Sequence, residues 1–568
     1  MKRHFEYLIW IFLLPGLPAE IGSEQESTVR FVDVARETGL NVITHCGGLE
    51  KKHLIESDGT GGAFLDYDGD GFLDIYIVNA WKIKNGAPEI KGANALYRNR
   101  GDGTFEDVTK QSGVGDRGWG SGVCVADYNN DGAPDLYVTN FGPNLLYRNN
   151  GDGTFAEVAQ DAGVQGNAWS GNAAFLDFDT DGDVDLYVAN YVTCTMEDVR
   201  NAEKSLLWRG TVKVATGPMG MNGAADIFYR NNGDGTFTDI TEEAGLTDAA
   251  LSYGYGVCAA DADGDGRLDI YVANDSNPNF YYRNNGDGTF TDMALWTGLA
   301  LSRSGQSQAG MGVGAGDYDN DGDLDFFVTN FAFDYSTLYK NIEEAYFEDA
   351  SEWSGLVQPT YRPLSWGTGF LDYDNDGDLD LFVANGHLYP SVDAHPNLNE
   401  SYGQTNQLFR NDVGRFVDVS SISGDGMRVR KSSRGAAFGD YDNDGDLDIL
   451  ILNVDETPTL LQNQTSNQNH WLQIRLVGTT VNRSAVGARV TAVTEALKQV
   501  REVKAGSSYR SHNDLRVHFG LGNRSWVDRL EVRWSKEKIE VFEDVPADRF
   551  FTIEEGKGIV AVKAPNKK

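Results

Sequence analysis

Seven copies of one pattern, D-x-D-x-D-G-x-x-D, punctuate this chain, beginning at Asp66, Asp127, Asp177, Asp261, Asp317, Asp372 and Asp440. One copy has Asn129 at its third position. A motif that returns at this spacing demands an architecture of like units, each unable to bury its own apolar face alone. Before each copy stands a short apolar segment such as GGAFLD or GTGFLD, and after it an alternating run such as LDIYIVN or LDLFVAN. Both flanks read as strands.

Each unit continues with an L-Y-R-N segment, starting at Leu96, Leu146, Phe228, Tyr281, Leu338, Leu408 and Leu460. An F-x-D segment also occurs seven times, at Phe31, Phe105, Phe155, Phe237, Phe290, Phe347 and Phe416, and in four copies a G-D-G-T turn joins the two. Four short strands per unit is the arithmetic of a propeller blade. The expected fold is all-β: a seven-bladed β-propeller with calcium loops, followed by a small C-terminal β-domain. The chain offers its first F-x-D at Phe31 and its last L-Y-R-N-like strand at Leu460, so these two ends are expected to pair and close the ring, removing exposed sheet edges.

The repeated loop has the donor set of a hard cation. Oxygen ligands at positions 1, 3, 5 and 9, a backbone carbonyl at 7 and a glycine at 6 for the sharp turn suit Ca²⁺. The expected ligands are Asp66, Asp68, Asp70, Phe72 and Asp74; Asp127, Asn129, Asp131, Ala133 and Asp135; Asp177, Asp179, Asp181, Asp183 and Asp185; and Asp261, Asp263, Asp265, Arg267 and Asp269. They continue with Asp317, Asp319, Asp321, Asp323 and Asp325; Asp372, Asp374, Asp376, Asp378 and Asp380; and Asp440, Asp442, Asp444, Asp446 and Asp448. Asp and Gly also make good turns, but a turn does not require four carboxylates so close that they repel one another. An EF-hand is excluded, because its loop needs a Glu at position 12, where the first copy has Ile77, and helices rather than strands on either side. About seven calcium ions are expected, with a structural role.

Charge narrows the function. The chain carries 85 acidic and 48 basic residues, a net −37, which excludes nucleic acid as a partner. Of the acidic residues 27 stand at positions 1, 3, 5 and 9 of the repeated loops, and seven Ca²⁺ would bring the net charge to −23. With 40% hydrophobic residues the acidity does not signal disorder. No nucleophile elbow, P-loop or dinucleotide fingerprint is present.

The repeated loops resemble the FG-GAP/VCBS repeats of integrin-type propellers over about residues 31–463. Beyond His470, the stretches NRSAVGARV, AGSSYRSHNDLRVHFGLG and VDRLEVRW are similar, in order, to the ASPIC/UnbV domain that follows such propellers in the cartilage acidic protein family and its bacterial relatives. The W-P-x-G turn usual there is Trp534-Ser535-Lys536-Glu537 here. The resemblance implies an exported, calcium-binding, adhesion-type protein, and relatives often carry a second cysteine where this chain has Thr216, leaving Cys194 without a partner. The expected domains are a signal peptide over 1–22, the propeller over 23–465, the β-domain over 466–560 and a tail over 561–568. Residues 471–568 carry +6 and the remainder −43, so the small domain is expected either to dock against the propeller or to present a separate surface.

Strand parity sends the acidic loops and the G-D-G-T turns to one face of the ring. The large insertions, 41–60, 81–93, 191–225 and 386–406, leave from the other, which marks it as the working surface. That face holds His45, His53, His387 and His395, with Glu56 and Tyr389 near in sequence. Imidazole is a common transition-metal ligand, and His45 with His387 is the candidate pair for a second metal. No H-x-x-x-H or C-x-x-C pattern supports it. Two readings follow: an adhesion or interaction module for an extracellular protein or carbohydrate, or a metal-dependent oxidase or biosynthetic modifier using the insertion face. Cys124 and Cys258 read as small core residues, and a Cys46–Cys194 disulfide would have to reach across two blades.

Residues 1–22 read as a basic start, an apolar run from Leu8 to Leu14 and a cleavage point near Ala19. The run is too short to span a bilayer. The mature protein is expected outside the cytoplasm, secreted or periplasmic, monomeric and without membrane insertion.

Overall fold

The computed structural model describes residues 29–248, 250–343, 345–495 and 497–566. The expected signal peptide lies outside these residues. Among them, no helix is long and apolar enough to cross a membrane.

Short, mostly buried strands dominate, as expected for alternating segments cut by Gly and Asp turns. Seven of the sheets are four-stranded and antiparallel and take their strands from the repeated units. In each, the apolar segment before an acidic loop forms the first strand, as at Gly62–Leu65, Gly120–Ala126 and Ser170–Leu176. The segment after the loop, such as Asp74–Ile77, pairs with it, and the L-Y-R-N and F-x-D strands complete the sheet. The first strands touch one another in cyclic order, and Ser433–Gly439 of the last sheet returns to Gly62–Leu65 of the first. The result is a propeller, and the all-β expectation holds.

The ends of the repeat region meet as expected. Phe31–Asp33 pairs with Thr459–Asn463, with Phe31 opposite Asn463, so one sheet is built from both ends of the chain.

The C-terminal domain is a pair of four-stranded sheets over its own core, which includes Leu472, Ile474, Val490, Phe519, Leu530 and Phe551. His470–Val477 runs parallel to Arg549–Glu554 within one of them. The variant turn at Trp534-Ser535-Lys536-Glu537 still closes a hairpin, with the Trp534 amide donating to the Lys538 carbonyl at 3.0 Å. One boundary needs correcting. Gly558–Lys563 is a strand paired with Arg549–Glu554, so the domain extends past residue 560 and 561–563 are not tail; ladder pairing there satisfies backbone groups that a free tail would leave to water.

Acidic loops, central plug and insertion face

All seven acidic loops share one hydrogen-bond scheme. The position-6 glycine amide donates to the first Asp in every copy, at 2.7–3.2 Å. That glycine has φ between +91° and +102°, the left-handed region where a side chain is strained. The position-9 Asp is buried, and one of its oxygens accepts the backbone N–H of the L-Y-R-N asparagine at 2.7–2.8 Å. The other accepts the position-2 amide in six copies and, in the fourth, the Tyr281 hydroxyl on Asp269.

These bonds leave acceptor capacity facing inward. Three carboxylate oxygens lie within 4.8 Å of one another in Asp66/Asp68/Asp70, Asp177/Asp179/Asp185, Asp261/Asp263/Asp265, Asp317/Asp319/Asp325 and Asp372/Asp374/Asp380. Asp66, Asp177, Asp317, Asp319 and Asp374 each keep a buried Oδ1 without a hydrogen-bond partner. Burial pushes the Asp74 carboxyl up to about 9 and that of Asp135 to about 8, and raises those of Asp185, Asp269, Asp325, Asp380 and Asp448 well above the usual range. Such a cage of oxygens, unfavourable as bare anions, fits a hard divalent cation.

The asparagine that ends each L-Y-R-N segment does more than sequence reasoning assigned to it. While its backbone N–H binds the Asp of its own sheet, its side-chain amide donates to the position-2 carbonyl of the preceding loop, at 2.7–2.9 Å in all seven sheets. Asn149 reaches Tyr67, Asn231 reaches Tyr128, and Asn99 closes the circle on Tyr441. Each acidic loop is thereby fastened to the next. The recurrence of Asn at one position was the available signal.

The C-terminal domain sits on this loop face. Arg533 forms an ion pair with Asp261, Arg475 stands 3.6 Å from Asp66, and Arg516 donates to the Asp440 carbonyl at 2.8 Å. Of the two expectations for this domain, docking is the one realised, and opposite charge is part of the reason.

From the same domain the segment 505–514 enters the centre of the ring as a plug. It bonds to first strands around the ring: Phe175 N–H to Ala505 O at 2.8 Å, Val313 N–H to Ser508 O at 3.1 Å, Val123 N–H to Arg510 O at 3.2 Å and Asp514 N–H to Phe438 O at 2.9 Å. Closely approaching glycines make the room; a Cβ on Gly61 would lie 1.5 Å from the Arg510 carbonyl oxygen. At the tip, Tyr509 packs on Tyr255 and Trp366, and Arg510 pairs with Asp58 at 2.8 Å with both side chains at most 2% exposed.

Beyond the plug tip lies the insertion face. The insertions of the first, third and sixth units converge there, although the first and sixth units are two apart in the ring. Trp208 donates from Nε1 to Glu400 at 3.0 Å, its ring meets that of His387, and Glu400 stands 3.1 Å from His387 Nε2. Arg434, buried against Trp366, donates to the Ser57 carbonyl at 2.6 Å and the Gly386 carbonyl at 3.2 Å. The insertions, with neighbouring connections of the fourth and fifth units, line an open cavity of about 560 Å³ walled by Tyr191, Trp208, Tyr255, Phe331, Trp366 and Tyr389, with Asp58, Asp275 and Asp334 among its polar groups.

The histidines occupy separate places. His387 is fully buried, its Nδ1 accepting the Tyr389 amide at 3.1 Å and its Nε2 against Glu400. His45 lies near Asp455, Lys82 and Lys51, and burial lowers its pKa. The two share no hydrogen-bond or ion-pair partner among the described residues, and the group beside His387 Nε2 is the Glu400 carboxylate. His53 caps a helical turn, accepting the Ile55 amide, and His395 lies between two short 3₁₀ turns. Cys46, Cys124, Cys194 and Cys258 are all unpaired.

Comparison with known proteins adds a lineage. Residues 66–138, 127–188, 214–272, 261–328 and 372–451 match the model of the FG-GAP-like repeat, and residues 478–560 match ASPIC and UnbV. The chain is 24% identical over 509 residues to cartilage acidic protein 1 of Xenopus tropicalis, covering 85% of this chain and 62% of that protein. It is 26% identical over 506 residues to its counterpart in Homo sapiens, covering 85% and 61%. The chain therefore spans about three fifths of the length of the curated relatives it matches. Among solved structures it is similar to an Agrocybe aegerita lectin that recognises non-reducing terminal N-acetylglucosamine, with TM-score 0.36, 19% identity and coverage of 63% and 79%. It is also similar to the BP39L lectin of Burkholderia pseudomallei, with TM-score 0.43, 9% identity and coverage of 72% and 97%. At these scores neither likeness bears on the ligand.

Proposed function

The chain belongs to the FG-GAP-like repeat family and carries the ASPIC and UnbV domain at its C-terminal end, and from that premise we propose that it is an exported, calcium-rigidified interaction module whose insertion face takes a protein or carbohydrate ligand. The carrying observation is the division of labour between the two faces. The acidic loops are covered by the C-terminal domain, whereas the insertions build an aromatic cavity on the side that domain leaves open. Its size and its mixture of rings with a few polar groups suit a ligand that stacks on Trp and Tyr and offers hydroxyl or amine hydrogens to Asp275 and Asp334. Inward-facing orphan oxygens in the loops support calcium as the rigidifying ion, and the basic and apolar pattern of residues 1–22 supports export.

The test joins metal content to binding. Protein purified without chelators is expected to contain about seven Ca²⁺ per chain by mass spectrometry, and calcium-loaded protein is to be surveyed against immobilised oligosaccharides and extracellular proteins. A ligand whose binding disappears in the Trp208→Ala and Tyr389→Ala proteins supports the reading. Calcium-free native protein, or binding that survives both substitutions, sinks it.

A further inference from the structure

The propeller and the C-terminal domain together line a second, partly open cavity, of about 280 Å³, beside the first two acidic loops. Much of its wall is apolar: Phe64 and Val125 from the propeller, Leu515 and Phe550 from the C-terminal domain. Two buried polar side chains on it find no complete set of partners in the protein. Gln473 is 1% exposed, yet neither its amide nitrogen nor its carbonyl oxygen is hydrogen-bonded. Its strand neighbours Leu472 and Ile474 belong to the core of the C-terminal domain, so the two-residue period turns Gln473 the other way, toward the propeller.

His512 is the second. Its Nδ1 accepts the Val125 amide at 3.3 Å, which places the proton of the neutral ring on Nε2, and that N–H has no partner although the residue is only 1% exposed. Buried amide and imidazole groups are ordinarily paired. The rim adds charge: Arg475, Arg483, Arg516 and Lys563 stand against Asp66, Asp127 and Asp514, and Lys563 forms no ion pair among the described residues. Two of those three carboxylates belong to the acidic loops, where a cation would take up their charge.

We propose that this cavity binds a small amphipathic organic anion. Its apolar body lies between Phe64 and Phe550, an acceptor oxygen takes the hydrogens of His512 Nε2 and the Gln473 amide, and its anionic group faces Lys563 and Arg475. Water alone would serve the polar atoms but not the apolar walls. A molecule with both characters serves both, and it would bridge the two domains.

Anilinonaphthalenesulfonate, a planar apolar anion, is a suitable probe for titrating the full calcium-loaded chain, read by fluorescence and by native mass spectrometry. One saturable site per chain is expected. The nearly isosteric Gln473→Glu, which sets a negative charge against the anion, should weaken it about tenfold, and the cavity-filling Leu515→Trp should abolish it. Trp208→Ala on the insertion face should leave it unchanged. Melting curves establish that each variant is folded; should Leu515→Trp fail to fold, Gln473→Glu decides. Absence of stoichiometric binding, wild-type affinity in Gln473→Glu, or loss in Trp208→Ala would overturn the proposal.

Discussion

The two faces of this propeller are built on different principles. On the loop face one hydrogen-bond scheme is written seven times: the position-6 glycine amide on the first Asp, the position-9 Asp under an asparagine, and that asparagine tied to the preceding loop. On the insertion face a repeated asparagine stands at or just past the end of each second strand, as where Asn140 and Asn274 donate to the Pro143 and Pro278 carbonyls, but above that layer single long-range pairs such as Trp208–Glu400 and Arg434–Ser57 hold segments from different units together. Repetition spreads stability over many equivalent bonds, whereas the insertions above it are held by a few single ones. The first arrangement suits a scaffold, the second a site.

The largest test of this contrast removes the ion. If the orphan oxygens of the loops hold calcium, EDTA should lower the melting temperature by more than ~10 °C, because crowded carboxylates lose their counter-charge at once in every unit. A melting curve unmoved by chelation would make the loops ordinary turns.

Next in size is the plug tip, where the stability of one pair stands alone. Arg510→Met leaves Asp58 buried without its cation and should cost about 3–5 kcal/mol, measured by urea unfolding. A loss under ~1 kcal/mol would mean that the plug contributes little to the ring.

A single link of the repeated scheme should matter less. Asn411 donates to the Tyr318 and Leu379 carbonyls at 2.7 and 2.9 Å, and Asn411→Ala should cost about 1–3 kcal/mol. The equivalent change at Asn231, which donates to the Tyr128 and Val184 carbonyls, should cost a similar amount. Strongly unequal losses would break the claim that the links are equivalent.

Of comparable size is a pH dependence on the insertion face. Burial raises the Asp275 carboxyl to about 6, even though the Tyr191 and Ser276 hydroxyls donate to it. A carboxyl raised in the folded state contributes stability that is present below its ordinary pKa near 4 and lost as pH climbs through 6. Asp275→Asn, which cannot ionise, should therefore flatten the fall in melting temperature between pH 4 and pH 7, a difference of roughly 1–3 kcal/mol. Parallel profiles for the two proteins would refute it.

Much of the loop face was legible in the sequence because its information is local. Nine consecutive residues carry each loop's ligands and its turn glycine, the alternation of LDIYIVN sets its strand, and Phe31 and Leu460 announced the pairing of the chain ends. The asparagine link was harder to see. Its donor and acceptor lie in different units, Asn149 and Tyr67 being 82 residues apart, and only closure of the ring brings them within reach. The insertion face was legible as a collection of segments but not as a site. The distance between the first and sixth units argued against His45 meeting His387, yet Arg434 joins the carbonyls of Ser57 and Gly386 across that same gap. Long loops lean inward over a ring axis, and no periodicity records where they stop.

By itself the sequence determined the all-β class, the acidic cages and the order of units, since a motif repeated seven times between like apolar segments leaves few ways to bury its strands. Tertiary structure alone decided that residues 505–514 fill the channel, that arginines of a basic domain cover the acidic loops, and that aromatic residues from distant insertions share one cavity. Those outcomes rest on shape and charge complementarity between segments separated by hundreds of residues, and such complementarity exists only once the ring has closed.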